Sequence, residues 1–217
     1  MTKYMFDIES APVRESMLHT VVLPDVTTEK IQVEAKGEIP VIGMVPNQIT
    51  TEFLREEVPA QDGRFVPDKI YSKLCVIERH RGTGNVQAAP LKGYGITGGA
   101  IATSVAHDSH NIIAVGDRDE DILSAVKAME ELQGGYVLVS KGEVIGTLSL
   151  PIAGLLSMEP SRKIQETIDE MLKKAWDMGI SREIDPFITL SFMALPVIPE
   201  LRLTDQGLVD VTHFQLL

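Results

Sequence analysis

Ile31-Gln32-Val33-Glu34-Ala35 alternates apolar and polar side chains, and this two-residue period predicts a half-buried strand. Residues 41–45, an apolar run between Pro40 and Pro46, predict a short buried strand. Residues 49–58 read as extended, with one helical turn over 53–57 as the alternative. An Asp-Gly pair marks residues 61–64 as a turn. Lys73-Leu74-Cys75-Val76-Ile77-Glu78-Arg79 is the best strand of the N-terminal half, and residues 111–115 predict another that stops at Gly116. Further on, residues 136–140 and 144–150 form a hairpin around Lys141-Gly142. Residues 201–203 and 208–211 predict short strands around the turn Thr204-Asp205-Gln206-Gly207.

A 3.6-residue period appears twice. Ile122, Leu123, Val126, Met129 and Leu132 form one stripe over 118–133, where Asp117 and Glu120 have capping-box spacing and Gly134-Gly135 ends the helix. Ile164, Ile168, Met171, Leu172 and Ala175 form the other over 160–178, ended by Gly179. Strands and helices are segregated more than they alternate. The expected class is therefore α+β, with antiparallel-rich mixed sheets packed on two main helices. Residues 1–29, without clear periodicity, are expected to form an N-terminal arm over a domain spanning 30–217.

The 217-residue chain is 44% hydrophobic and 24% charged, so a conventional core is feasible and a disordered chain or a rod is excluded. A net charge of −11, with basic residues scattered, repels phosphate backbones and argues against nucleic-acid binding. The single cysteine, Cys75, excludes an internal disulfide and a cysteine zinc site and reads as a buried thiol. Residues 1–10 lack the pattern of a signal peptide, and no apolar stretch reaches the roughly 20 residues of a membrane span. A cytoplasmic protein with no membrane partner is expected.

Three clusters could carry chemistry. His107-Asp108-Ser109-His110-Asn111 holds two imidazoles and a carboxylate, which suit a divalent metal or proton transfer, provided that a turn converges them. The competing reading is a polar loop whose side chains cap backbone groups. Glu78-Arg79-His80-Arg81-Gly82-Thr83-Gly84-Asn85 brings charged side chains off a strand into a glycine-rich loop, as binding residues or as a solvated strand end. Candidate ligand-binding residues are Glu78, Arg79, His80, Asn85, Asp108, Ser109 and Asn111. His107 and His110 are candidate metal ligands. Glu78, His80, His107, Asp108 and His110 are expected to share one pocket or groove. Third, Gly93-Tyr94-Gly95-Ile96-Thr97-Gly98 matches the dinucleotide fingerprint, with Asp117 where the ribose-binding acid would stand. Its context argues against that reading. Residues 85–92 contain Pro90 and make a poor buried strand, and residues 99–106 are too few for a crossover helix.

These motifs, with Lys92-Gly93-Tyr94-Gly95, Gly99-Ala100-Ile101-Ala102-Thr103-Ser104-Val105-Ala106, Leu150-Pro151-Ile152-Ala153-Gly154-Leu155-Leu156-Ser157, Asp185-Pro186-Phe187-Ile188-Thr189-Leu190-Ser191-Phe192 and 194–205, give the chain a resemblance. Over residues 18–212 it resembles the C-terminal domain of bacterial and archaeal adenine deaminases of the amidohydrolase superfamily. The resemblance implies a whole enzyme that hydrolyses adenine to hypoxanthine and ammonia on an N-terminal barrel bearing manganese or iron. There the metal lowers the pKa of bound water, hydroxide attacks the purine C6, and a carboxylate shuttles the proton. The sequence departs from that pattern. Its five histidines, His19, His80, His107, His110 and His213, include no His-x-His pair, so neither the metals nor the base carries over to a residue here. An accessory domain is expected, partnered by the catalytic barrel or by its own copies, with a purine as possible ligand and little catalysis alone. The alternatives are a free-standing metal-dependent hydrolase or purine-binding protein using His80, His107, Asp108 and His110, and a pure oligomerisation module. Residues 150–156 and 192–201 are apolar enough to form an interface patch or, equally, core.

Overall fold

Residues 12–217 are described in the structure, a computed structural model. β5 (Tyr71–Ile77) lies inside an eight-stranded sheet, and six of its seven residues are buried. Its alternating side chains feed two cores, Leu74 and Val76 on one face, Cys75 and Ile77 on the other. β6 (Val86–Lys92) and β8 (Ile112–Gly116) flank it, both antiparallel. Beyond β8 come β7 (Gly99–Thr103), β9 (Gly135–Ser140) and the edge strand β10 (Glu143–Ser149). Beyond β6 come β1 (Glu38–Met44) and the edge strand β2 (Thr51–Glu57). Among the described residues only the β1–β6 ladder is parallel. Two small antiparallel units complete the strands: the hairpin β3 (Ala60–Gln61) with β4 (Arg64–Phe65), and the triple β11 (Leu201–Thr204), β12 (Gly207–Asp210), β13 (Gln215–Leu216).

Helix α1 (Asp119–Leu132) covers one face of the sheet. Ile122, Ala125, Val126 and Met129 pack there on Ala100, Ala102 and Ala114, whose small side chains let the helix approach closely. The opposite face is covered by α2 (Ser161–Asp177), the short α3 (Pro186–Ser191) and β11, with Met171, Phe187, Leu190 and Leu201 against Ile101, Val115 and Leu138. The α+β class and both main helices stand as expected. Among the described residues no helix is long and apolar enough to cross a membrane.

Three local expectations need correction, and one open alternative is decided. The segment 31–35 is not a strand. A 3-10 turn over Thr28–Ile31 buries Ile31 against the α1 layer, and Val33 and Ala35 meet the β3–β4 hairpin through backbone hydrogen bonds with Phe65 and Gly63. Its alternation serves two different cores across the face of the sheet. Residues 86–92, discounted for Pro90, form the interior strand β6. The proline is tolerated because β1 pairs only with Leu91 and Lys92, so at Pro90 the ladder is one-sided. Asp117 does not cap α1. The N-cap is Arg118, without a side-chain cap, and the Asp117 carboxylate accepts from Gly98 N and Gly99 N at 2.6 and 2.9 Å. The apolar stretches 150–156 and 192–201 are mostly core: Leu150, Ile152, Met193, Ala194, Leu195 and Leu201 are buried, while Leu156 and Val197 stand 61% and 64% exposed.

The fingerprint-like glycine run packs on protein rather than on a pyrophosphate. Tyr94 is fully buried and donates its hydroxyl to Pro186 O at 3.0 Å. Gly95 and Gly179, both at positive φ, approach so closely that a Cβ on Gly95 would lie 3.2 Å from Gly179 O. Glycine is required there by backbone proximity at the end of α2.

Candidate functional site

β5 is followed directly by two buried charges, Glu78 and Arg79, that organise the loops around them. Glu78 is 7% exposed, and its carboxylate turns back on its own loop. It accepts from the backbone N–H groups of His80, Arg81 and Thr83 at 2.6, 2.9 and 3.0 Å, and from the Thr83 hydroxyl at 3.1 Å. Burial pushes this carboxyl up, but those hydrogen bonds together outweigh it and hold the group below the usual carboxylate range. Arg79 is 1% exposed and donates only to carbonyl oxygens: His110, Thr20 and Ala153. One side chain thus ties together the arm, the 104–111 loop and the 150–156 loop. Gly154 makes room for it, since a Cβ there would lie 2.7 Å from a guanidinium nitrogen.

The 104–111 loop joins β7 to β8 and is held at nearly every residue. Ser104 Oγ donates to Gly154 O at 2.6 Å and accepts from Gly135 N at 2.7 Å. His107 N donates to Ser191 O at 2.8 Å, and His110 N to Ala106 O at 2.6 Å. His110, at φ 52°, accepts from Ala106 N through Nδ1 at 3.2 Å. Burial, with the neighbouring His107 ring and Arg79, pushes its pKa down, in keeping with a neutral ring that accepts. His80 Nε2 donates to Ser109 O at 2.7 Å, which joins the two loops directly. At the loop's base, Asn111 and Asn85 donate to the two oxygens of one carboxylate, Asp205, at 3.1 and 3.0 Å.

The structure therefore brings the two predicted motifs together at one end of the sheet. They play unequal parts. Glu78, Arg79, Asn85 and Asn111 form the scaffold beneath. His80 is exposed and bridges to the second loop. His107, Asp108 and Ser109 present side chains with no hydrogen-bond partner among the described residues. The His107 ring stands between Phe192, at 5.0 Å between centroids, and His110, at 5.6 Å. Sequence reasoning missed Asp205, Phe192, Gly154 and Thr20. In the sequence Asp205 stands out only as part of a turn and of the 194–205 motif, and its two asparagine partners lie 94 and 120 positions away.

Among the described residues, no group of three or more His, Cys, Asp or Glu side chains converges to hold a metal ion. The residues present thus do not fit the manganese or iron that the resemblance implies for the whole enzyme, and no catalytic step is derived through a metal on this chain.

Comparison with known proteins gives a consistent result. The family model described as the adenine deaminase C-terminal domain matches residues 48–215. An adenine deaminase of Desulfitobacterium hafniense is 45% identical over 208 residues, covering 95% of this chain and 36% of the relative. One from Dehalococcoides mccartyi is 50% identical over 182 residues, 83% of this chain and 32% of the relative. One from Halalkalibacterium halodurans is 43% identical over 216 residues, 95% and 37% respectively. The chain spans about a third of the length of the curated relatives it matches.

Proposed function

The chain belongs to the adenine deaminase C-terminal domain family, and from that premise we propose that it is the accessory domain of a metal-dependent adenine deaminase. The whole enzyme would convert adenine and water to hypoxanthine and ammonia. The metal-bound water chemistry would reside in the N-terminal catalytic part, and this chain would pack against that part and complete its site.

The observation that carries this reading is a convergence. The arm, which leads toward the N-terminal side, is bound at the same end of the sheet as the two loops: Arg79 holds Thr20 O, and Ala153 N donates to Met17 O at 2.6 Å. A catalytic part connected through the arm would thereby lie toward the end of the sheet that carries His107, Asp108 and Ser109. Burying Glu78, Arg79 and Asn111 to stiffen one surface end costs desolvation that a solvated loop would not require.

The test uses two proteins, this chain alone and a chimera in which it follows the N-terminal two-thirds of the D. hafniense enzyme. The expected result is background hypoxanthine from the chain alone and turnover by the chimera, with the N-terminal part impaired by itself. Robust deamination by the pure chain would overturn the reading, as would a catalytic part that is fully active without it.

A further inference from the structure

The side chains left unused by the scaffold point to a more specific role, which rests on the function proposed above. We propose that the 106–110 loop is a substrate-reading element, in which Asp108 accepts the imidazole-ring N–H of a free purine base and the His107–Phe192 pair provides an aromatic shelf beside it.

Three observations support this. First, the loop is built for precise placement. The carbonyls of Ala106, Ser109 and His110 and the N–H groups of Ala106, His107 and His110 are all engaged, by Arg79 and His80 from the segment after β5, by Ser191 of α3 and by the loop itself. A loop so fixed presents its free side chains with little further entropy to lose on binding. Second, those side chains are suited to a purine. A carboxylate accepts strongly from a ring N–H, an imidazole can donate or accept, and His107 and Phe192 are both half-buried flat rings 5.0 Å apart at the surface. Third, the network engages the neighbouring carboxylates but not Asp108. Glu78 accepts from four donors and Asp205 from two asparagines and Gln206, whereas the Asp108 carboxylate has no partner among the described residues.

This chemistry discriminates. Free adenine carries a proton on its five-membered ring. A base substituted at N9, such as a nucleoside or 9-methyladenine, carries none there, and would leave the Asp108 carboxylate facing an alkyl group. Asp108 is thus a specificity residue that selects the free base over its N9-substituted forms.

The experiment compares adenine with 9-methyladenine in the chimera, as substrate or competitive inhibitor, for the parent, Asp108→Ala and Asp108→Asn. A lost hydrogen bond to a charged group corresponds to roughly a tenfold to hundredfold weakening. Asp108→Ala is expected to raise KM for adenine by that factor, leave 9-methyladenine binding unchanged and so collapse the preference. Melting temperature should be unmoved, because the side chain is exposed and unpartnered. Asp108→Asn should retain part of the preference, since its amide oxygen still accepts. A general structural defect would weaken both ligands alike. An active chimera whose preference for adenine survives Asp108→Ala overturns the inference and leaves the accessory reading standing. A chimera that fails to assemble, beside an active D. hafniense parent, overturns the accessory reading and this inference with it.

Discussion

Arg79 and Arg202 are both almost completely buried, and both hydrogen-bond only to backbone carbonyls. Burial pushes the Arg202 guanidinium down to about 10, still charged at neutral pH. Each works as a staple between segments distant in sequence. Arg79→Met should cost about 2–4 kcal/mol in urea denaturation, because three carbonyl acceptors lose their donor inside the protein. Arg81→Met, on an exposed neighbour, should stay within about 0.5 kcal/mol. Glu78 gives a pH-dependent counterpart. Its folded pKa lies below the unfolded value of about 4.3, so its contribution is fully present above that pH and lost as pH falls through the folded pKa. Glu78→Gln should therefore be less stable than the parent at pH 7, with the gap narrowing below about pH 4.3 when thermal unfolding is followed against pH. A gap that stays constant into acid would show that the carboxylate charge contributes nothing. The thiol of Cys75, pushed up to about 12 by complete burial, should be inert to a thiol reagent until the chain unfolds.

At the scale of elements, periodicity was a good guide where one face of an element meets one core. Both main helices and the β9–β10 hairpin follow the sequence pattern closely. It misled where a segment serves two cores, as at 31–35, or where a local rule was met by tertiary context, as at Pro90 and Asp117. The Asp117 carboxylate has capping-box spacing, but two backbone donors at the start of β7 claim it. The arm shows the same limit, because its anchors are not periodic. Gln133, in the left-handed conformation at the end of α1, accepts from Val21 N at 3.2 Å and donates to Val21 O at 3.3 Å. Gln133→Gly should relieve the backbone strain of that conformation while releasing the arm. Limited proteolysis within residues 12–27 should then accelerate with little change in global stability. An unchanged cleavage rate would mean that the contacts with Arg79 and Ala153 secure the arm without Gln133.

For the molecule as a whole, the two charged motifs were visible in the sequence, but not what joins them. Asp205 and Phe192 reach the site from the segments after β11 and α3, which cover one face of the sheet, and no local pattern marks a contact that only the completed three-layer packing creates. The same packing divides the apolar stretches: most of their side chains fill the core, and a few are left outside near the converged loops. Leu156, at the end of the segment that Arg79 clamps, is 61% exposed, and Met158, two residues on, is 64% exposed. If the catalytic part docks at this end, these side chains should be covered on assembly, each contributing about 1.5 kcal/mol or more. The double variant Leu156→Ser/Met158→Ser should then weaken association with the separate N-terminal part of the D. hafniense enzyme by about a hundredfold, at 1.4 kcal/mol per factor of ten. Ile70→Ser is the matched control: this residue is 53% exposed but lies just before β5, at the opposite end of the sheet. Its loss should leave the dissociation constant unchanged. The reverse pattern, binding weakened by Ile70→Ser and indifferent to the double variant, would place the interface at the other end of the sheet and separate the braced loops from the catalytic part.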